Sequence, residues 1–452
     1  MNTARLRNTG RFKRVQTAVP DEITPNSTAE IVKLLSTSSR TAKPIRPQGA
    51  ATSSTDCNAC ETGTVLRLSG LNRILHIDTV NHTITAQAGV RLYQLVEALA
   101  EQGLELAGNH ELAGRTLGGA IGTPCFGPGI GKRGESLASQ VISVKLIAAG
   151  GRPMQVSPQQ KDLMGAIRMS YGTLGVITEA TLRVQPMRTF SVSHRKLDIE
   201  TFCSVVDTLA NSDVGFKFYL LPHRDRVYLD LRRYAGKVRN AHSTPWKIKD
   251  WGETTVLPNV FKSLNRLLPV HAVRYPLIDV VSEATQGLAN SPFLSSGNNA
   301  TAGQHGRHLS NTRNLLYSTW CFPATDFSIV TKAYRDFCCN IYAESRYRCD
   351  MPAIGYRVCR DARALLSPAF DEPMIALQTA STASRGWEDF VIDLADFAEQ
   401  WGGVPIFSQS RSVRPDYARS VYGPRLEVFR RIRQRLDPEN QLLNPFLAQY
   451  FG

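Results

Sequence analysis

Hydrophobic positions in the first third of the chain recur with two different periods, and each period predicts a different element. Ile31, Val32, Leu34 and Leu35 line one side of a short helix over 27–39, with Asn26 or Ser27 placed to cap it. Leu92, Leu95, Val96 and Leu99 fall at i, i+3, i+4 and i+7, the spacing of a helix that ends near Gly103. Elsewhere alternation takes over. The stretch 75–90 reads as strand, turn, strand, with Val80, Asn81 and His82 near the tip. Ile142, Val144 and Leu146 alternate with Ser143 and Lys145 in a half-buried strand that turns at Gly150-Gly151. Val176, Thr178, Ala180, Leu182 and Val184 face one way, and Glu179, Thr181 and Arg183 the other, until Pro186 closes the strand. The strands are too unevenly spaced for a doubly wound parallel sheet.

Past Pro186 the pattern weakens. Residues 187–375 are less regular and include a polar, glycine-rich loop over 295–311. Helical spacing returns over 388–400, and again over 415–436, where Asp437-Pro438 stops the helix.

Composition narrows the class. A chain of 452 residues with 42% hydrophobic and 20% charged residues is an ordinary globular protein of two or three domains. No stretch approaches the roughly 20 apolar residues of a membrane span. The basic N-terminus has no apolar segment after it, and the nine scattered cysteines are an odd count. Both features point to reduced thiols in the cytoplasm. The net charge of +14 favours anionic ligands in general. Arg425, Arg430, Arg431, Arg433 and Arg435 sit on the helix expected over 415–436, where a solvated face accounts for them. Without zinc spacing or an aromatic RNA-binding signature, no nucleic-acid partner is expected.

Two segments have the composition of a pyrophosphate cradle. In RPQGAATSS (46–54) small residues let backbone N–H groups converge, and Thr52 and Ser53 add hydroxyls. In TLGGAIGT (116–123), Gly118, Gly119 and Gly122 allow close backbone approach. Each segment alone also reads as a tight turn. A third, GPGIG (127–131), lacks the preceding strand and later acidic residue of a dinucleotide fingerprint.

In order and surroundings these segments resemble the FAD-binding domain of the vanillyl-alcohol-oxidase and p-cresol-methylhydroxylase superfamily. The matching elements are Arg46–Ser53, Ala88–Leu104, Thr116–Thr123, Gln140-Val141 and YGTLGVITEATLRVQP (171–186). GGVPIFSQSR (402–411) and DPENQLLNPFL (437–447) resemble the closing segment of aldonolactone, alditol and decaprenylphosphoryl-ribose oxidases. The resemblance implies an α+β fold. It has a PCMH-type FAD-binding domain of two α/β subdomains over 13–186, and a cap with an antiparallel sheet and flanking helices over 187–400. A C-terminal segment, 401–452, returns to the flavin site. It implies an FAD-dependent oxidase or dehydrogenase that takes a hydride from a C–H bond of a small organic substrate. Arg46, Pro47, Gly49, Ala50, Ala51, Thr52, Ser53, Thr116, Gly118, Gly119, Gly122 and Thr123 would hold the cofactor. Cys125 and Ile177 would lie beside the flavin.

The departures from the family pattern carry their own expectations. Relatives that attach the flavin covalently do so through a histidine where this chain has Thr52, a poor nucleophile, so non-covalent FAD is expected. His110 is the nearby histidine that could replace it. Phe126 stands where sugar and lactone oxidases have histidine, and Ile406-Phe407-Ser408-Gln409 replaces a motif ending in lysine. Gln409 can orient a hydroxyl but cannot take its proton, so either a base comes from His223, His271, His305 or His308 in the cap, or the substrate is a phenolic, unsaturated or amine compound that needs no strong base. The more apolar pocket implies a substrate less polar than a free sugar. Alternatives are a dehydrogenase with a quinone acceptor and a non-catalytic flavin- or anion-binding protein.

Overall fold

The computed structural model describes residues 21–38, 44–61, 63–107, 114–131, 136–234, 252–289, 299–300, 315–383 and 385–452. The first helix forms over Thr28–Ser38 and begins with a reciprocal cap. The Glu30 N–H donates to Ser27 Oγ at 3.3 Å, and the Glu30 carboxylate accepts the Asn26 N–H at 3.1 Å. Beside it β1 (Asp21–Ile23), β2 (Ile45–Gln48) and β3 (Thr64–Arg67) form a small parallel sheet in the order β1-β3-β2.

The expected hairpin is β4 (Ile74–Asp78) and β5 (Thr83–Gln87), and His82 at its tip has φ 51°. A second sheet joins these to β7 (Val141–Ile147), β8 (Pro153–Val156) and β9 (Val176–Pro186) in the order β4-β5-β9-β7-β8. The short β6 (Leu104–Leu106) adds to the end of β9. Antiparallel pairing explains the clean alternation along β9, because one side faces the core and the other is partly solvated.

The region without legible periodicity builds the largest sheet. β10 (Phe190–Leu197), β11 (Gly215–Leu221), β12 (Arg226–Tyr234), β13 (Asn299–Ala300), β14 (Leu316–Pro323), β15 (Ala353–Val358), β16 (Met374–Ser381) and β17 (Val404–Pro405) form eight strands in the order β13-β10-β12-β11-β15-β16-β14-β17. These strands read poorly because several are buried on both faces. One face packs Phe216, Phe218 and Leu220 against helices Ile199–Ala210 and Phe327–Ser345, through contacts such as Phe218 with Phe202 and Phe327.

Two elements differ from expectation. The glycine-rich segment after Arg115 is not all loop: Leu117–Gly122 forms a short helix capped by Thr116. The long helix over 415–436 is two, Pro415–Tyr422 and Pro424–Leu436. Gly423 takes φ 53° and Pro424 lacks the N–H needed to continue the first helix.

Candidate active site

The two glycine-rich segments meet. A cleft of about 730 Å³, including its open mouth, is lined by 46–53 on one side and by Arg115, Thr116, Gly118, Gly119, Gly122 and Thr123 on the other. Tyr171, Gly172, Gly175 and Ile177 form its floor with Cys57, Asn58 and Leu68. The two sides touch at Gly49, where an added Cβ would lie 2.0 Å from Thr116 Oγ1. The lining holds two arginines and no carboxylate. A lining of small residues and hydroxyls, with cationic charge and no negative charge, suits a pyrophosphate, so the residues fit FAD.

Of the two arginines only one faces the ligand. Arg46 is 1% exposed, and its guanidinium donates to the carbonyls of Tyr171 at 2.6 Å, Cys57 at 2.8 Å and Leu442. Burial lowers its pKa to about 10, which leaves it cationic at neutral pH. The expected phosphate contact of Arg46 is therefore replaced by a structural one. It ties the first cradle to the C-terminal segment and to the turn 169–172, where Met169, Tyr171 and Gly172 all have positive φ. Arg115 is different. It is 8% exposed, and its guanidinium donates from Nη1 to Pro124 O at 3.0 Å and Thr123 Oγ1 at 3.4 Å and also bonds the Cys125 thiol. No carboxylate among the described residues pairs with it. The sequence reading missed Arg115, although its place directly before the second cradle was the available signal.

The first cradle carries strain of its own. Ala51 has φ 55°, a left-handed conformation that costs a residue with a Cβ about 1 kcal/mol. The loop is held by the returning C-terminal segment. Ser54 N donates to Ser408 O at 3.0 Å, Ser54 Oγ to Gln409 O at 3.0 Å, and Thr55 Oγ1 to Phe407 O at 2.7 Å. From the cap, the Tyr317 hydroxyl donates to the carbonyl of Thr52.

That last bond orients the cap sheet. Tyr317 stands on the sheet face opposite Phe216 and Phe218, and the pairing register puts Thr319, Gln378, Ile354, Tyr219, Tyr228 and Lys196 in one row across that face. The next row holds His194, Asp230, Lys217 and Tyr356. His194 Nδ1 lies 2.5 Å from Asp230, and Lys217 Nζ lies 5.0 Å from the Tyr219 ring centre. Polar and aromatic side chains thus share one face of the cap sheet, where Tyr219 and Tyr228 are buried together with Leu221 and Ile354. No sequence period could show it, because register decides which side chains share a face.

Other expected residues fall differently. Cys125 is fully buried and does not line the cleft, because the Arg115 side of the loop covers it. Gln409 is 7% exposed and reaches the cradle through its carbonyl, in a turn where its N–H donates to Ile406 O. Phe407 is a core residue, ringed by Tyr450, Tyr422, Tyr171 and Phe451. Neither His223 nor His271 lines the cleft, while His110, His305 and His308 lie outside the described residues. The GPGIG segment serves as a joint, its Gly131 carbonyl accepting from Arg357 at 2.8 Å. Part of the arginine run is structural: Arg433 donates to Phe451 O, Arg425 to Leu365 O and Ser367 O, and Arg430 to Glu427.

A cradle for FAD opposite an antiparallel cap defines a flavin-dependent oxidoreductase, and comparison with known proteins agrees. An FAD binding domain model matches residues 22–157. The D-arabinono-1,4-lactone oxidase family model matches residues 180–450, and the chain belongs to that family. It is an FAD-dependent oxidase or dehydrogenase of a small organic substrate. It is 28% identical over 441 residues to L-gulono-1,4-lactone dehydrogenase of Mycobacterium tuberculosis, covering 97% of each chain. It is 24% identical over 437 residues to L-gulonolactone oxidase of Scyliorhinus torazame, covering 94% of each. Cholesterol oxidase from Brevibacterium sterolicum has the same fold, with a TM-score of 0.77 at 13% identity over 95% of this chain and 94% of that one.

Proposed function

We propose that the protein oxidises a carbinol C–H of a neutral hydroxylated lactone, with fewer hydroxyls than a free sugar and with FAD held non-covalently. The observation that carries this reading is the Tyr317–Thr52 hydrogen bond, which holds the cap sheet against the first cradle of the cofactor cleft. When bound, FAD supplies the electron-accepting chemistry. Main-chain N–H groups at 49–53 bind its phosphates, the small residues of 116–123, whose own N–H groups bond within the protein, let the cofactor approach closely, and the Arg115 guanidinium adds the positive charge. Gln378 and Lys217, half-buried on the same face of the cap sheet, would orient the substrate's oxygens. Gln409, anchored through Ser54, fixes the edge of the site.

Non-covalent binding is supported by Thr52 in the cradle and by the state of Cys57, the one thiol lining the cleft among the described residues. Burial pushes the Cys57 thiol up, so it stays protonated and a weak nucleophile at neutral pH. A reducing, cytoplasmic location is supported by nine cysteines that are all free thiols.

The test is anaerobic mixing of the FAD-loaded protein with a panel of L-gulono-1,4-lactone, D-arabinono-1,4-lactone, free sugars and simple alcohols. Bleaching of the flavin band by lactones ahead of free sugars supports the reading. Bleaching by free sugars alone overturns it. Admitting air then separates oxidase from dehydrogenase, and acid precipitation should leave all the yellow in the supernatant.

A further inference from the structure

The helix His271–Ala289 is amphipathic the wrong way round for a helix facing water. Its charged residues are engaged by neighbouring parts of the protein. Asp279 pairs with Arg348 at 2.5 Å, Glu283 with Arg224 at 3.2 Å, and Arg274 lies over Tyr275. The outward side is apolar along the whole length of the helix. Val273, Leu277, Val280 and Leu288 are 58%, 39%, 57% and 62% exposed, and the outward positions between them are Ala272, Pro276, Ala284 and Gly287. The preceding turn extends the stripe with Leu267 at 72% and Val270 at 58%. Single exposed apolar side chains are ordinary, but a continuous stripe marks a contact surface.

The rim of the stripe is basic. Lys262 and Arg266 are exposed on the helix Leu257–Leu267. At the other side of the turn, the exposed Arg346 and Arg385 are close enough to act on His271, and no carboxylate is among the groups that do. Self-association through this stripe would set one basic rim against another. An anionic lipid surface satisfies both features, since it accepts apolar side chains at the acyl boundary and offers phosphates to the rim. No helix among the described residues is long and apolar enough to cross a membrane, so the helix would lie on the surface.

We propose that the outward face of His271–Ala289, with Lys262, Arg266, Arg346 and Arg385 around it, docks this enzyme on the surface of an anionic lipid bilayer. The face is separate from the cofactor cleft, so docking is read independently of the substrate.

The experiment is flotation of the full-length, FAD-loaded protein with vesicles of phosphatidylcholine alone and of phosphatidylcholine with phosphatidylglycerol. The protein should float with the anionic vesicles, and partitioning should fall about tenfold or more in Leu277→Glu/Val280→Glu. Lys262→Gln/Arg266→Gln/Arg346→Gln should lower binding severalfold, and high salt should do the same to the unaltered protein. Leu277→Ser/Val280→Ser serves if the acidic pair perturbs folding, and bound flavin and Tm report on that. The proposal fails if the unaltered protein does not float with anionic vesicles, or if the apolar-face variants float as well as it does. It also fails if light scattering finds a dimer that the Leu277/Val280 variants dissolve while vesicle binding persists.

Discussion

In the flavin-binding half, the cleft is lined largely by small residues that let its own segments close on each other: a Cβ at Gly49 would strike Thr116 and one at Gly118 would strike Ala88, and threonine and serine hydroxyls fill the gaps. In the cap, the corresponding surface is a set of side chains, Tyr317, Gln378, Tyr219, Lys217 and Tyr356, standing on one face of a sheet. The first solution suits a phosphate-bearing cofactor and needs few residue types. The second, if it meets the substrate as proposed, can change one side chain at a time without altering the fold. The difference also predicts where perturbations are felt: backbone clamps govern cofactor retention, and cap residues govern local stability and selection.

The largest effect is expected at Arg46. Arg46→Met leaves the carbonyls of Tyr171, Cys57 and Leu442 buried without donors, and should destabilise the protein by about 3–5 kcal/mol. Urea unfolding and flavin content measured together check it. Retained FAD at normal stability would break the claim that the clamp shapes the cradle.

The cap responds to pH instead. Burial, aided by Arg348, lowers the His223 pKa from 6.5 to about 4. The unfolded chain therefore takes up a proton between those values that the folded chain does not. The resulting stabilisation is complete above about pH 6.5 and is lost as pH falls toward 4. Allowing for its partial exposure, the contribution is no more than about 2 kcal/mol. His223→Gln should flatten the pH dependence of Tm over this range and leave FAD affinity unchanged.

A smaller effect is expected at the ligand-facing guanidinium. Arg115→Met should weaken FAD binding about tenfold, read by fluorescence titration, with little change in Tm. A loss of stability equal to that of Arg46→Met would erase the distinction between the two arginines. The smallest effect is favourable: Ala51→Gly relieves the left-handed strain at φ 55° and should raise stability by less than about 1 kcal/mol in a thermal melt.

The residues themselves show how far the sequence could be read. The helix Thr28–Ser38, the hairpin β4–β5 and the long strand β9 were legible because each buries one face, which leaves a period in the sequence. The cradles were legible because close backbone approach admits few residue types. Gly423-Pro424 was overlooked inside an otherwise continuous helical pattern, where the pair divides one helix into two. The cap strands had no such period, since burial on two faces removes alternation.

By itself, then, the amino-acid order determined the class of fold and the cofactor through five short segments whose order resembles a known FAD-binding domain, since either cradle segment alone reads equally as a tight turn. Only the tertiary structure decided what each charged or polar side chain does. It turned Arg46 inward and left Arg115 facing the cleft, two arginines alike in composition and both beside a cradle. It also set Tyr317 against Thr52 across 265 positions of chain. The physical reason is that a side chain's role follows from which distant backbone groups reach it first, and strand register and loop closure fix that only when the whole chain has folded.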